Sequence, residues 1–391
     1  MSQQLINHSP DLKKLRDEGF EVKIKSGYLL ISGVPYLNFN KEIKNGILVS
    51  KLALTGDKTI KPDTHVVFFV GEYPCHKNGL EIEQIRHDSR EQTLVEDLII
   101  NHSFSNKPRD GYTDYYEKMS RYVDIISAPA QTIDSSVTAK TFKIIESDDE
   151  EFVFHYIDTN SSRAEIMFIS DKLKNQKIGI VGLGGTGSYI LDFISKTPIK
   201  EIHLFDGDIF AQHNAFRAPG AASKEKLSQN ISKIQYLKEV YSNMHKNIVL
   251  HPGYLNQENI NLLPGLDFFF ICIDKGEIKE EIFNRLIDQK IPFIDTGMGI
   301  EIVGDKLIGI VRATLSKENR RDHIAKRVSF FDRKDENYSN NIQIAELNAL
   351  NAALAVIKWK KLNGLYNDQE KECHNTYTID LNMLLSDDHE T

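Results

Sequence analysis

Ile178-Gly-Ile-Val181, preceded by Lys177, is an apolar, β-branched run that passes straight into Gly182-Leu-Gly-Gly-Thr-Gly187 and then into Ser188-Tyr-Ile-Leu191, where apolar residues recur at helical spacing. A strand, a glycine turn and a helix in that order leave the chain few choices. Glycine permits positive φ and close backbone approach. The helix that follows aims free N–H groups and the positive end of its dipole back at the turn. Gly182, Gly184, Gly185 and Gly187 therefore make a candidate phosphate cradle. The next strand, Glu201-Ile-His-Leu-Phe205, ends in Asp206. An acidic residue about 20 positions on is placed to bind ribose hydroxyls.

Strand and helix patterns alternate from about residue 152. Helices are expected over Ser188–Lys196, Leu227–Met244 and Glu277–Gln289, and strands over Ile248–Leu250 and Pro292–Asp295. The continuous apolar run Leu266–Ile273 reads as a strand buried on both faces. Ile342–Leu362 reads as a long amphipathic helix. The succession predicts an α/β domain with a Rossmann-like, mostly parallel sheet covered by helices. Residues before about 145 predict a β-rich α+β domain. Phe20–Lys25 and Tyr28–Ile31 flank Ser26-Gly27 as a hairpin, with further strands at Gly46–Ser50 and His65–Val70. Tyr112–Ile126 carries helical spacing. The acidic run Glu146–Glu151 resists packing and is read as the boundary, giving domains 1–150 and 151–391.

The chain has 391 residues and a net charge of −8, which opposes broad nucleic-acid binding. The start Met1-Ser-Gln-Gln-Leu-Ile-Asn-His8 lacks a signal-peptide pattern. No apolar run nears the ~20 residues that span a bilayer. Cys75, Cys272 and Cys373 form neither a disulfide framework nor paired zinc ligands. A cytoplasmic protein without structural zinc, nucleic acid or membrane is expected.

The stretch from Asp206 to Arg217 discriminates between nucleotides. Asp206, Asp208, Asn214 and Arg217 stand in an Asp-x-Asp then Asn-x-x-Arg pattern. It resembles that of the E1-like adenylyltransferases, the ThiF, MoeB and ubiquitin-activating enzyme family. Lys233 resembles the family's phosphate-binding lysine, with Lys224 and Lys226 as alternatives. Asp274 resembles its magnesium-binding aspartate, and Pro292-Phe-Ile-Asp-Thr-Gly-Met-Gly299 the segment that follows. Arg163 resembles the arginine that dimers of the family lend to the partner's ATP; an exposed arginine at a capped helix start is the alternative. The resemblance covers about 160 to 362. It implies Mg-ATP, a homodimer, and adenylation of the C-terminal carboxylate of a ubiquitin-like or sulfur-carrier protein. Physically, Arg217 can fork onto phosphate oxygens, Lys233 supplies a point charge, and Asp274 is a hard oxygen ligand suited to Mg²⁺.

The family's crossover cysteine has no counterpart, because Asp274 to Glu372 contains no cysteine. Three routes stay open: direct transfer from the adenylate, an ester on Ser329 or Ser339 with His323 as base, or a cysteine from elsewhere. Cys373 beside His374 is one such cysteine, with an unreactive tail residue as its bland reading; Cys272 reads as packing. The front block, with Cys75-His76, His87 and His102, resembles the uncharacterised domain ahead of bacterial ThiF-like proteins in operons with ubiquitin-like proteins. Docking and a conjugating-enzyme-like site are its two readings, and a conjugating enzyme is a candidate partner. The rivals for the whole chain are an NAD-dependent oxidoreductase and a catalytically silent E1-like scaffold.

Overall fold

The structure is a computed structural model that describes residues 2–56, 58–95, 98–144, 152–164, 166–256, 258–260, 265–274, 276–330 and 342–389. The chain divides into two compact units, one of Met1–Glu146 with Asp158–Ala164, the other of Ser147–Ile157 with Glu165–Thr391.

The first unit is an antiparallel sheet backed by helices. Its strands are β1 (Glu21–Lys25), β2 (Tyr28–Leu37), β3 (Ile43–Lys51), β4 (Val66–Val70), β5 (Arg86–Asp88) and β6 (His102–Ser105), in the order β1-β2-β3-β4-β6-β5. The expected hairpin forms at Ser26-Gly27, both at positive φ, and pairs Lys25 with Tyr28. Helix α1 (Pro10–Asp17) and helix α2 (Tyr115–Gln131) cover the sheet. Asp114 caps α2 by accepting from the Glu117 N–H, so the helix starts three residues later than its apolar spacing suggests. Lys118 of α2 is fully buried, yet its ammonium donates to Ser50 Oγ and the Thr64 carbonyl at 2.9 and 2.8 Å. Burial pushes it down to about 8.

The second unit holds an eight-stranded sheet. In chain order it comprises β7 (Lys177–Val181), α3 (Gly185–Ile194), β8 (Glu201–Asp206), α4 (Lys233–Tyr241), β9 (Ile248–Pro252), β10 (Phe268–Ile271), α5 (Gly276–Asp288), β11 (Phe293–Val303), β12 (Lys306–Ser316), α6 (Ala345–Leu362), β13 (Glu372–Thr378) and β14 (Met383–His389). The sheet order is β9-β8-β7-β10-β11-β12-β13-β14. The first five strands are parallel; β11 to β14 continue antiparallel. The expected Rossmann-like sheet is present, with an antiparallel extension that the sequence did not announce. The short strand expected at Pro292–Asp295 runs on to Val303, because Gly304-Asp305 turns it into a hairpin with β12.

The core lies where α3 and α6 pack on β7 and β10. Ile178, Ile180, Ile190, Ile194, Phe270 and Trp359 are buried together. Trp359 satisfies its indole N–H on Gln176 Oε1 at 3.0 Å, as a buried tryptophan requires. The helix expected over Leu227–Met244 is broken. Asn230 is at φ 51°, and Ser232 caps a new helix at Lys233 by accepting from the Gln235 N–H.

Glu372 of β13 is buried. Burial alone would raise its pKa, but the hydrogen bond from Lys361 and the charge of Lys358 outweigh it and bring it down to about 2. A carboxyl depressed in the fold stabilises above its unfolded value of about 4.3, and that stability is lost as pH falls towards 2. Melting temperatures should therefore drop between pH 5 and pH 3, and Glu372→Gln should drop less over that interval. An equal drop would remove Glu372 from the acid response.

Candidate functional site

The parallel strands bring the sequence-marked residues to one edge. Val181 pairs with Phe205 on one side and Ile271 on the other, so β7, β8 and β10 end level. Strands β8 and β9 lie to one side of β7, β10 and β11 to the other. The crevice outside the carboxyl ends at such a switch point is where open α/β sheets take ligands.

The glycine turn is closed beneath and open above. Gly182 has φ 87°, and a Cβ there would stand 2.6 Å from the Cys272 carbonyl oxygen. A Cβ on Gly187 would collide with the Gly182 carbonyl, and one on Gly185 with the Asn348 amide. At Gly184, which caps α3, a Cβ would meet no described atom within 4 Å. The closed positions need glycine for packing; the open one leaves backbone accessible to a ligand.

Asp206 ties the loops together. Its Oδ2 accepts from the Leu183 N–H of the glycine turn at 2.7 Å, and its Oδ1 from the Asp208 N–H at 2.8 Å. Both oxygens keep further lone pairs for a hydroxyl donor. Lys233, at the start of α4, is buried with its ammonium 3.8 Å from Asp206 and hydrogen-bonded to Asp208. Its own N–H donates to the Asp208 carbonyl at 2.9 Å. The break before α4 therefore positions the lysine. Of the three lysines considered, Lys233 reaches this cluster; Lys226 pairs with Glu239, and Lys224 is exposed on the short helix Lys224–Leu227.

Asn214 and Arg217 follow Asp208 around the short helix Gln212–Ala215. Asn214 is buried, and its Oδ1 accepts from the Ala211 N–H at 2.9 Å. Asn214 Nδ2 and Arg217 Nε are buried and have no hydrogen-bond acceptor among the described residues. Buried donors are nearly always paired, so two orphans three residues apart fit an anionic acceptor. Asp274 is exposed, three residues past β10 and two before α5. Gly182 packs on Cys272 and Ile273, which brings Asp274 to the same edge.

Sequence reasoning missed Asn348 and Asn351 of α6. Asn348 Oδ1 accepts from Thr186 Oγ1 at 2.9 Å, and Asn351 Nδ2 donates to the Gly297 carbonyl at 3.1 Å. Two asparagines three apart in an Ala- and Leu-rich helix were the available signal, since both are buried.

The three cysteines are poorly placed to act as nucleophiles. Burial raises the Cys75 thiol, which donates to the Tyr73 carbonyl at 3.3 Å. Burial pushes Cys272 up to about 12. Cys373 is not a tail residue: it is fully buried in β13. Its neighbour His374 is pushed down to about 4 by burial, so no imidazolium is there to lower the thiol at neutral pH. His323, the candidate base, is buried, its Nε2 bonds to the Leu315 carbonyl at 2.9 Å, and burial lowers its pKa. Ser329 is exposed, and Ser339 lies outside the described residues. Arg163 belongs to the first unit, where its guanidinium donates to the Asp17 carbonyl at 2.6 Å. His87 and His102 bond to Ser103 and Ser89 hydroxyls. Among the described residues no cluster of three metal-ligating side chains occurs, and no helix is long and apolar enough to cross a membrane.

Sheet order, glycine turn and polar cluster together define a Rossmann-like nucleotide-site architecture. Residues 161–308 match the ThiF family, and residues 10–159 match a domain of unknown function, DUF6791. The chain is 26% identical over 133 residues to the adenylyltransferase and sulfurtransferase UBA4 of Saccharomyces cerevisiae, covering 33% of this chain and 30% of that protein. It is 27% identical over 137 residues to the molybdopterin-synthase adenylyltransferase of Haemophilus influenzae, covering 34% of this chain and 55% of that protein. The chain thus spans less than a third of the yeast relative and just over half of the bacterial one. Among solved structures, that of Escherichia coli MccB is similar at 20% identity and a TM-score of 0.45, over 59% of this chain and 69% of that one.

Proposed function

We propose that the second unit adenylates the C-terminal carboxylate of a ubiquitin-like or sulfur-carrier protein. A carboxylate oxygen bonds to the α-phosphorus of ATP, the α–β phosphoanhydride bond breaks, and pyrophosphate leaves. The observation that supports this reading most is a pair of buried donors without a partner among the described residues, Asn214 Nδ2 and Arg217 Nε, beside the Lys233 cluster at the switch point. Two anions must approach in this reaction, and fixed cations lower that barrier most. In this reading, Arg217 and Lys233 hold phosphate charge. Gly184, Gly185 and the start of α3 give backbone N–H groups to phosphate, while Asp206 takes ribose hydroxyls.

A single exposed carboxylate suits Mg²⁺, which uses one or two protein carboxylates and fills its shell with water and phosphate oxygens. Asp274 would hold it, and the ion would supply charge neutralisation for the leaving pyrophosphate. Asp274→Asn should cut pyrophosphate exchange about 100-fold and raise the Mg²⁺ concentration needed for half-maximal rate. Unchanged metal dependence would move the ligand elsewhere.

The similarity to UBA4 and the molybdopterin-synthase enzyme supports the adenylation step. A homodimer receiving Arg163 from its partner, a cytoplasmic setting and a downstream conjugating enzyme belong to the same proposal. With buried Cys75 and Cys373 disfavoured, direct hand-over of the adenylate is the favoured route. The decisive test is ATP–pyrophosphate exchange with candidate small carrier proteins, alongside calorimetric titration with Mg-ATP and with NADH. Exchange and ATP binding are expected. NADH binding without exchange would favour an oxidoreductase, and carrier binding without exchange a scaffold.

A further inference from the structure

The first unit contains a cavity of about 680 Å³ whose lining residues all lie between His76 and Thr132. Its size falls within the range of ligand sites, roughly 300–1,000 Å³. Ile82, Ile85, Ile125 and Pro129 give it an apolar floor and wall, with Ile82 and Ile85 anchored in the unit's core. Lys77 and Arg121 stand on its rim, and among the described residues no Asp or Glu lines it.

The charge accounting is one-sided. Glu81 and Glu83, on the same segment as Lys77, are both taken up by Arg86, at 3.2 and 2.9 Å. Lys77 and Arg121 pair with no carboxylate among the described residues and are exposed. Two cations without a described carboxylate partner, over an apolar floor, select a ligand that is apolar along its body and anionic at one end.

The lining also carries amide and hydroxyl side chains, Asn78, Asn106 and Thr132, which can hydrogen-bond the backbone of a peptide and find no such partner on a simple fatty chain.

We infer that this cavity binds the C-terminal end of an apolar peptide segment, with the free carboxylate held by Lys77 and Arg121. This is a second recognition site for the kind of chain end that the second unit is read to activate, and in that respect it rests on the proposed function. It would let the first unit select carriers by their tails, without any nucleophile of its own.

The test uses the full chain without nucleotide. A dansylated Leu-Leu-Val-Gly tetrapeptide is titrated as the free acid and as the C-terminal amide, followed by fluorescence anisotropy. The acid should bind and the amide should bind at least tenfold more weakly. Arg121→Glu should abolish the difference, whereas Arg121→Lys should retain most of it. Both variants alter an exposed side chain, and circular dichroism checks that they fold. Equal binding of acid and amide, absence of binding, or an Arg121→Glu protein that still prefers the acid would each overturn the proposal. Exchange activity in the second unit is read separately, so loss of one reading leaves the other measurable.

Discussion

Arg217→Ala should lower the rate of ATP–pyrophosphate exchange by about 100- to 1,000-fold while leaving the melting temperature nearly unchanged. The magnitude is that of removing one fixed donor aimed at developing transition-state charge. The direction follows from the orphan Nε: it contributes no intramolecular hydrogen bond among the described residues, so the folded state without ligand loses no such bond with it. An ordinary core-facing arginine would behave oppositely, with stability falling and the rate per folded molecule holding. Arg217→Lys should recover only part of the rate, because an ammonium cannot fork onto two phosphate oxygens. Full activity in Arg217→Ala would remove this residue from catalysis and, with it, the main support for a nucleotide triphosphate at the switch point.

Lys279→Met should destabilise the protein by about 3 to 5 kcal/mol, the usual cost of stranding one member of a buried ion pair. Asp295 of β11 is fully buried and receives two cations, Lys279 Nζ at 2.9 Å from α5 and Arg312 Nη1 at 2.7 Å from β12. Arg312 also bonds to Thr314, which bonds to His374. Loss of Lys279 leaves Asp295 half compensated in a dry setting. A paired replacement, Lys279→Met with Asp295→Leu, should cost much less, because no charge is then left buried alone. Urea denaturation of the single and double variants measures both. A single variant within 1 kcal/mol of the parent would mean that Arg312 alone satisfies the carboxylate.

The Asp295 triad is not legible in the sequence. The segment from Pro292 to Gly299 resembles a family segment, and that resemblance gives Asp295 no partner. Lys279 and Arg312 lie on elements separated from Asp295 by 16 and 17 positions, and no local spacing joins them. Gly297 gains its reason only with them: a Cβ there would stand 2.7 Å from the Arg312 guanidinium. The glycine turn was the opposite case. Strand, turn and helix are contiguous, so their geometry is local and their pattern suffices. The four residues from Asp206 to Arg217 were likewise legible, being one loop. Lys233 was ambiguous among three lysines because the choice depended on where a helix broke, and that break came from a left-handed Asn230 and a serine cap.

The burial of Cys373 and His323 is not legible in the sequence for a related reason. Near the end of a chain or in a polar stretch, composition suggests solvent. Here β13 closes onto β12, and the fold buries Cys373, His374 and His323. Burial cannot be inferred from neighbours in sequence when the covering strand arrives from far away.

Residues a few positions apart are enough to set the alternation of strands and helices, the strand-to-helix glycine turn and the order of charged residues behind it. Which lysine meets Asp208, which buried donors lack a partner among the described residues and how Asp295 is neutralised follow only from the folded chain. Those outcomes depend on desolvation and on side chains that meet only after distant strands pair.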